Sequence, residues 1–436
     1  MNTSSPAAGK AARNSVFANR DFSLLFGGSS ISALGDQFTL VALPWLVLKL
    51  TGDPAALGVV LAMMALPRAA FMLIGGAVVD RMSPRRVLLG ARAVNAACIV
   101  ILAALVLTGT IQMWMVYLLA LGIGLSTAFA YPAGSAILPQ LVQPQQLRSA
   151  NALMMGMRQL SMIVGPVLAG FVIATGGHQP SAQGLSDAHG LGFAFGIDAA
   201  SFLFSLASLA MVRIHGDSHP RKVGAGVFAS IAAGFRNLWS DVPLRAFMVY
   251  ASFVSVFVGG PIQVGLPVLA DTRMNLGAAS LGILMTAQGI GMFAGSFLSG
   301  LGTRLMRGHL GVMVLCGDAV MGLALAALTF VHTTYTGALL LLCTGVLGGI
   351  VQIAIFSWIQ QRVSQEMMGR TMSILMFTFM GLGPLSAAIA GALLKVISLT
   401  ALFGIAGLTL TIIAVSCLSS AQMRSIRATQ PMPANS

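Results

Sequence analysis

The chain has 436 residues, 57% of them hydrophobic and only 8% charged, with a mean hydropathy of +0.89. A soluble domain carries about 25% charge, so this composition excludes one and points to an all-α protein that crosses a membrane many times. The formal net charge of +13 would suit a nucleic-acid binder, but its placement along the chain excludes that as well.

Apolar runs long enough to cross a hydrocarbon core of roughly 30 Å fall near 22–48, 56–79, 87–108, 112–134, 151–175, 191–213, 244–270, 278–301, 311–330, 336–358, 371–396 and 399–420. These twelve spans divide the chain into a tail (1–20), a six-helix bundle (21–213), a connector (214–243), a second six-helix bundle (244–420) and a second tail (421–436). Residues 1–20 are polar and small and lack a leader pattern, so the first span is expected to act as the targeting element. With both termini in the cytoplasm, only Lys49, Arg273 and Lys395 of the 24 Lys and Arg fall on outer loops, and Arg68 and Arg158 fall inside spans. The others are counted with cytoplasmic segments, Arg92 being grouped with the basic cluster at the start of span 3, as positive-inside orientation requires. Trp45, Trp114 and Trp358 fall at span ends, where an indole is expected to meet the interface.

Span 1 carries Asp36 near the midplane, with Gln37 beside it. An ionisable side chain there costs on the order of 2.5–3.5 kcal/mol on insertion scales, which makes it a functional candidate. Asp36 is the expected proton-coupling residue, and Arg68 in span 2 and Arg158 in span 5 are its candidate partners. The plain alternatives are a structural salt bridge for Asp36 and snorkelling of Arg158 to the surface. Asp198 and Asp318 lie within about two turns of span ends and read as weaker candidates.

In the connector, Val227, Phe228, Ile231, Phe235, Leu238 and Trp239 recur at helical spacing, which suggests a helix lying in the inner interface. Beyond it the second half echoes the first. Leu57-Gly58 and Leu281-Gly282, Gly76 and Gly300, Pro44 and Pro267, and Gly165-Pro166 and Gly383-Pro384 fall in corresponding spans. An even number of spans per half makes these parallel repeats, with a site expected near the midplane and two bundles that rock about it. Gln37, Gln159, Gln288 and Gln352 are candidates to line an uncharged cavity. The stripe Met372, Met376, Met380 could add an adaptable apolar wall, with ordinary helix packing as its alternative. Cys98, Cys316, Cys343 and Cys417 lie in apolar spans without metal-type spacing, and no metal or cofactor is expected.

Several stretches resemble a known family. Gly76-Ala77-Val78-Val79-Asp80-Arg81-Met82-Ser83-Pro84-Arg85-Arg86 is similar to the loop motif between spans 2 and 3 of the major facilitator superfamily, with Ser83 and Pro84 where the family usually has Gly and a basic residue. Gly156 followed by Gly165-Pro166-Val167-Leu168-Ala169-Gly170 resembles the antiporter motif of its drug-exporting members, with Ala169 in place of Gly. Gly35-Asp36-Gln37 with Ala42-Leu43-Pro44-Trp45, and Leu138-Pro139-Gln140-Leu141-Val142, resemble the group of macrolide-efflux and siderophore-exporting facilitators. Span 4 departs from many proton antiporters, with Leu118 and Ala120 where an Arg is common.

The resemblance covers residues 20–420 and implies the twelve-helix facilitator fold. It implies that Gly76, Asp80, Arg81 and Arg85 form a cytoplasmic gate, Asp80 meeting the start of span 11 near Gly369-Arg370-Thr371. It also implies that Gly156, Gly165, Pro166 and Gly170 help seal the site in an exporter. The function expected is export of amphipathic small molecules by alternating access, in antiport with protons, from a bacterial inner membrane and as a monomer. A proton-coupled importer is the alternative, and a non-transporting scaffold a third. No enzyme constellation appears, and Gly289-Ile290-Gly291 lies inside a span, not in a phosphate loop after a strand.

Overall fold

The computed structural model describes residues 16–176, 187–213, 235–236, 238–306, 308–363 and 365–427. Within these, the side chains of 72–77, 80–81, 365–370, 373, 376–377 and 379–380 are outside the description. The motif side chains of Gly76, Asp80 and Arg81, together with Met376 and Met380, fall in that group, and Val227, Phe228 and Ile231 of the connector lie outside the described residues.

Twelve long helices follow one another among the described residues. They are α1 (Arg20–Thr51), α2 (Pro54–Arg81), α3 (Pro84–Leu107), α4 (Met113–Leu141), α5 (Leu147–Thr175) and α6 (Ala188–Met211), then α7 (Val242–Arg273), α8 (Ala278–Leu305), α9 (Leu310–Ala327), α10 (Thr334–Arg362), α11 (Gln365–Leu393) and α12 (Leu399–Cys417). Eleven of them are long and apolar enough to cross a membrane, and α11 contributes the shorter apolar stretch Gly381–Leu393. No strand occurs among the described residues. Helices suit these sequences because each backbone N–H and C=O is satisfied within its own span, which an apolar medium demands.

Local chemistry sets the helix ends. The Asp241 carboxylate accepts the Leu244 N–H at 3.2 Å to cap α7 and takes Arg362 at 2.7 Å, while the Ser398 hydroxyl caps α12 through the Ala401 N–H at 3.1 Å. Just before α7, Leu238 is buried, whereas Phe235 and Trp239 stack at 5.1 Å and stay exposed. That is the amphipathic division expected of an interfacial segment.

The chain forms two compact units, one of residues 1–42 and 67–223, the other of 43–66 and 224–436. In the first, α3 packs on α4 and α6, and α5 on α6. In the second, α8 packs on α10, α9 on α12, and α7 on α11. The boundaries cut through α1 and α2, so residues 43–66 belong with the C-terminal sequence. Gly58 explains how: a Cβ there would stand 2.6 Å from the Ala387 carbonyl oxygen, and one on Gly391 would stand 2.5 Å from that of Pro54. Only glycine lets α2 and α11 approach backbone to backbone at these two levels.

Ion pairs finish this far face, the one reached by the α1–α2 connector. Lys49 meets Asp271 at 2.6 Å and lies over the Trp45 ring at 4.9 Å. Lys395 meets Asp53 at 2.9 Å. Arg273 donates to the Thr329 carbonyl at 2.9 Å and to the Thr400 hydroxyl at 2.6 Å. The three cations that the sequence placed on outer loops are thus all engaged. Trp45 and Trp358 are buried, 1% and 4% exposed, and Trp114 at 59% is the one of the three predicted interface indoles that faces outward. Ends of long helices here are packed against neighbours, so position along the span did not decide indole exposure.

The Asp53 carboxyl is held below the ordinary carboxylate range, first by the hydrogen bond from Lys395 and also by the Ala55 N–H and the charge of Lys395. A depressed group contributes stability above its unfolded value of about 3.9 and loses it as pH falls through the lower folded value. The pair is therefore expected to stay intact from pH 5 upward. Asp53→Asn should change transport equally at pH 5.5 and 8, and a change in the shape of the pH profile would contradict this.

Candidate functional site

The first unit concentrates polar groups where α1, α3 and α6 meet. On α1, Ser29, Ser32, Asp36 and Thr39 fall at spacings of three and four, and on α6 Asp198, Ser201, Ser205 and Ser208 do the same, so each set forms a stripe on one helix face. The stripes face each other. Asp198 is fully buried and accepts hydrogen bonds from the Thr39 and Ser201 hydroxyls. Gly35 makes the approach possible, since a Cβ there would lie 2.0 Å from the Ser201 Oγ and 2.6 Å from Asp198 Oδ1.

Arg92 stands nine residues into α3, inside the span and not on a cytoplasmic segment. Its guanidinium donates to the Ser205 hydroxyl at 2.5 Å and to the Ser29 hydroxyl at 2.8 Å, tying α3 to both stripes. The helix starts at Pro84, before the apolar run, so Arg92 stands about two turns inside it and apart from the basic cluster at its start.

Asp36 occupies the middle of the 32-residue α1. Its side chain is exposed, unlike its neighbours Gly35, Phe38 and Thr39 on the same helix, which are buried. Arg92 and Arg158 both act on its charge, Arg92 more strongly, and Asp198 is close enough to feel Asp36 as a like charge. Arg158, from α5, is exposed and lies 5.5 Å from the centre of the Tyr131 ring of α4. Two cations and two carboxylates, from α1, α3, α5 and α6, thus lie within electrostatic reach of one another. Arg68 is not among the charges that act on Asp36, and its Nε is buried without a hydrogen-bond partner.

The Gly-Pro element of α5 sits at the same level. A Cβ on Gly165 would lie 2.4 Å from Cβ and Cγ of Gln37, so the glycine makes room for the stem of that glutamine. Pro166 and Gly170 are buried, whereas Gly156 is exposed with open space beside it. Gln159 is half-buried on α5. The second unit repeats the arrangement: Gln263 of α7 places its Nε2 3.1 Å from a Cβ position on Gly383 of α11. Here α7 passes through a π-helical turn, Pro261–Gly265, and the Gly260 N–H is satisfied by the Ser386 hydroxyl of α11 at 3.0 Å. Such turns mark points where a helix departs from regular geometry, often at functional positions.

The counterpart of Arg92 in α9 is Asp318, likewise nine residues from its helix start and buried, with the Tyr250 hydroxyl of α7 donating to it at 2.8 Å. Elsewhere in the second unit Gln288 is half-buried on α8, Gln352 is exposed on α10, and Met372 packs against the cluster of Phe247, Leu315 and Trp358. Arg85 donates to the Leu209 and Ala210 carbonyls at 3.4 and 2.6 Å, capping the C-terminus of α6. Among the described residues no group of three His, Cys, Asp or Glu side chains could hold a metal ion.

Hydroxyl donors around a buried carboxylate have a measurable weight. Thr39→Val is expected to lower stability by about 1–2 kcal/mol, because Asp198 keeps its charge or proton with one donor fewer. Adding Asp198→Leu should recover part of that loss, since removing both partners leaves nothing unsatisfied. Melting temperatures in detergent, with a drop for the single variant larger than for the pair, are the check.

A family model described as Major Facilitator Superfamily matches residues 25–388. The chain belongs to that superfamily. This facilitator is 25% identical over 395 residues, 88% of each chain, to "Multidrug efflux pump Tap" of Mycobacterium tuberculosis. It is 24% identical over 363 residues, 83% of each chain, to "Enterobactin exporter EntS" of Salmonella typhimurium. Among solved structures, a mutant of nucleoside transporter NupG superposes with a TM-score of 0.70 at 13% identity, covering 92% of this chain and 99% of that one. A bacterial homologue of iron transporter ferroportin in an inward-facing state gives 0.67 at 17% identity, covering 92% and 99%. These superpositions carry the fold. The facilitator is therefore a transporter by family, with a polar centre in each unit that hydropathy did not reveal.

Proposed function

We propose that this facilitator exports amphipathic small molecules from a bacterial inner membrane by alternating access, in exchange for protons and as a monomer, with both termini in the cytoplasm. The observation that carries the reading is Asp36: a mid-span carboxylate that is exposed, faces Arg92 and Arg158, and adjoins Gln37 at the antiporter-like Gly165. A carboxylate so exposed can exchange its proton with water. Its charge sets how strongly α1 is held to the guanidinium groups of α3 and α5. Proton binding and helix movement are then linked through the same contacts. Arg68 of α2, whose Nε has no hydrogen-bond partner among the described residues, would be a further partner in the coupling step.

The cavity reading follows from the same surface. Gln37 and Gln159 offer neutral hydrogen bonds beside a few charges, which suits substrates that are largely apolar with scattered polar groups. Gln288, Gln352 and the Met372, Met376, Met380 face of α11 would supply the wall from the C-terminal half. Gly76, Asp80, Arg81 and Arg85 would close the cytoplasmic side, and the bundles 21–213 and 244–420 would be the rocking bodies. The naming of two relatives as an efflux pump and an exporter supports export over import.

The test is accumulation of a panel of dyes, macrolides and catecholate siderophores in an efflux-deficient host that expresses the chain, with and without a protonophore. Lower accumulation that the protonophore reverses is the expected result. Raised accumulation of any compound would replace the export reading by proton-coupled import.

A further inference from the structure

We propose that the recess where α1 begins, α3 begins and α6 ends holds the phosphate of an anionic phospholipid. The recess encloses about 510 Å³ and is lined by Arg20, Arg85, Ala210, Met211, Val212 and Arg213. Three guanidinium groups border it, and they differ in what they do. Arg85 is spent on the Leu209 and Ala210 carbonyls and thereby masks the negative end of α6. Arg20 and Arg213 are exposed, and among the described residues their guanidinium groups have no hydrogen-bond or ion-pair partner. The acid nearest in sequence, Asp21, uses its Oδ1 to accept the Arg213 backbone N–H at 2.8 Å. The recess therefore offers two unpaired planar donors to a ligand, and guanidinium geometry matches two phosphate oxygens at once.

Position selects the source of that phosphate. The lining residues lie at the ends of three membrane-spanning helices, the level at which lipid headgroups lie, and basic pockets there take anionic lipid heads. Met211 forms part of the rim and is 53% exposed, and Phe17, one turn before Arg20, is 49% exposed. An acyl chain would run along these apolar surfaces, which a free phosphate has no use for. The function of such a lipid is to hold the start of α1 against the end of α6, the two helices whose polar stripes bear Asp36 and Asp198.

The full-length protein, purified in detergent, is offered phosphatidylglycerol and phosphatidylcholine in equal amounts, and retained lipid is read by native mass spectrometry. Each basic residue near an anionic lipid is worth roughly fivefold in occupancy, so R20A/R213A is expected to lose preference for phosphatidylglycerol by about thirtyfold. R20K/R213K, which keeps the charges and loses the planar donors, should fall between the wild type and R20A/R213A, and excess inorganic phosphate should not displace the lipid. If the double variant does not fold, R20A and R213A singly, both at exposed positions, should each lose about fivefold. Equal retention of the two lipids, or a preference that survives R20A/R213A, overturns the site. Displacement by inorganic phosphate overturns the lipid assignment and makes the recess a site for free anions.

Discussion

Asp36→Asn is expected to abolish energised efflux while leaving exchange of substrate across a de-energised membrane. The asparagine keeps the size and most of the hydrogen bonding of the carboxylate but cannot change its charge. Arg92 and Arg158 then face a neutral group in every state, and the attraction that links proton occupancy to the position of α1 is gone. Coupling free energies of this kind are typically 1–3 kcal/mol, so the steady-state concentration ratio should fall by about 5–150-fold. Asp36→Glu should retain part of the pumping, since it still titrates but reaches about one bond further. Flux of a labelled substrate in proteoliposomes, with and without an imposed proton gradient, separates the two activities. If Asp36→Asn pumps normally, coupling belongs to another carboxylate, and Asp198 or Asp318 would be the next to replace.

Asp36 was found because it is an acid in the middle of an apolar run, a signal that hydropathy isolates. Arg92 reads in the sequence as the last charge of the basic cluster that opens span 3; with Pro84, favoured in the first helical turn, as the helix start, it stands nine residues in. Asp198 was discounted by its distance from a span end, yet it is fully buried. Depth along a helix says nothing about which side of it is covered.

The sequence carries a second signal in its small polar residues. Ser29, Ser32, Asp36 and Thr39, and likewise Asp198, Ser201, Ser205 and Ser208, repeat at three and four residues, and a polar stripe in an apolar helix has to face protein. Gln263 could have been found from the repeat, because it stands to Gly383 as Gln37 stands to Gly165. The fold itself was easier. Twelve apolar runs and parallel repeats define the helices, but no sequence pattern shows that residues 43–66 of α1 and α2 pack with the C-terminal unit. That association depends on Gly58 and Gly391 meeting backbone, a three-dimensional fit with only two glycines as its trace.

Gly58→Ala is expected to release that association. The new Cβ would lie 2.6 Å from the Ala387 oxygen and 2.9 Å from the Ala388 Cα, and both are backbone atoms that cannot swing aside. Relief requires α2 to move off α11, against the Asp53 to Lys395 pair at its end. Overpacking of this kind costs roughly 1–3 kcal/mol, enough to shift the balance between packed and separated α2 and α11 by about 5–150-fold. A cysteine introduced as Ala387→Cys, after replacement of Cys98, Cys316, Cys343 and Cys417, reports the change by its rate of reaction with a polar maleimide. Gly58→Ala should speed labelling, whereas Gly300→Ala, where an added Cβ meets only open space, should not. Unchanged labelling in Gly58→Ala would mean that the helices tolerate the methyl without separating.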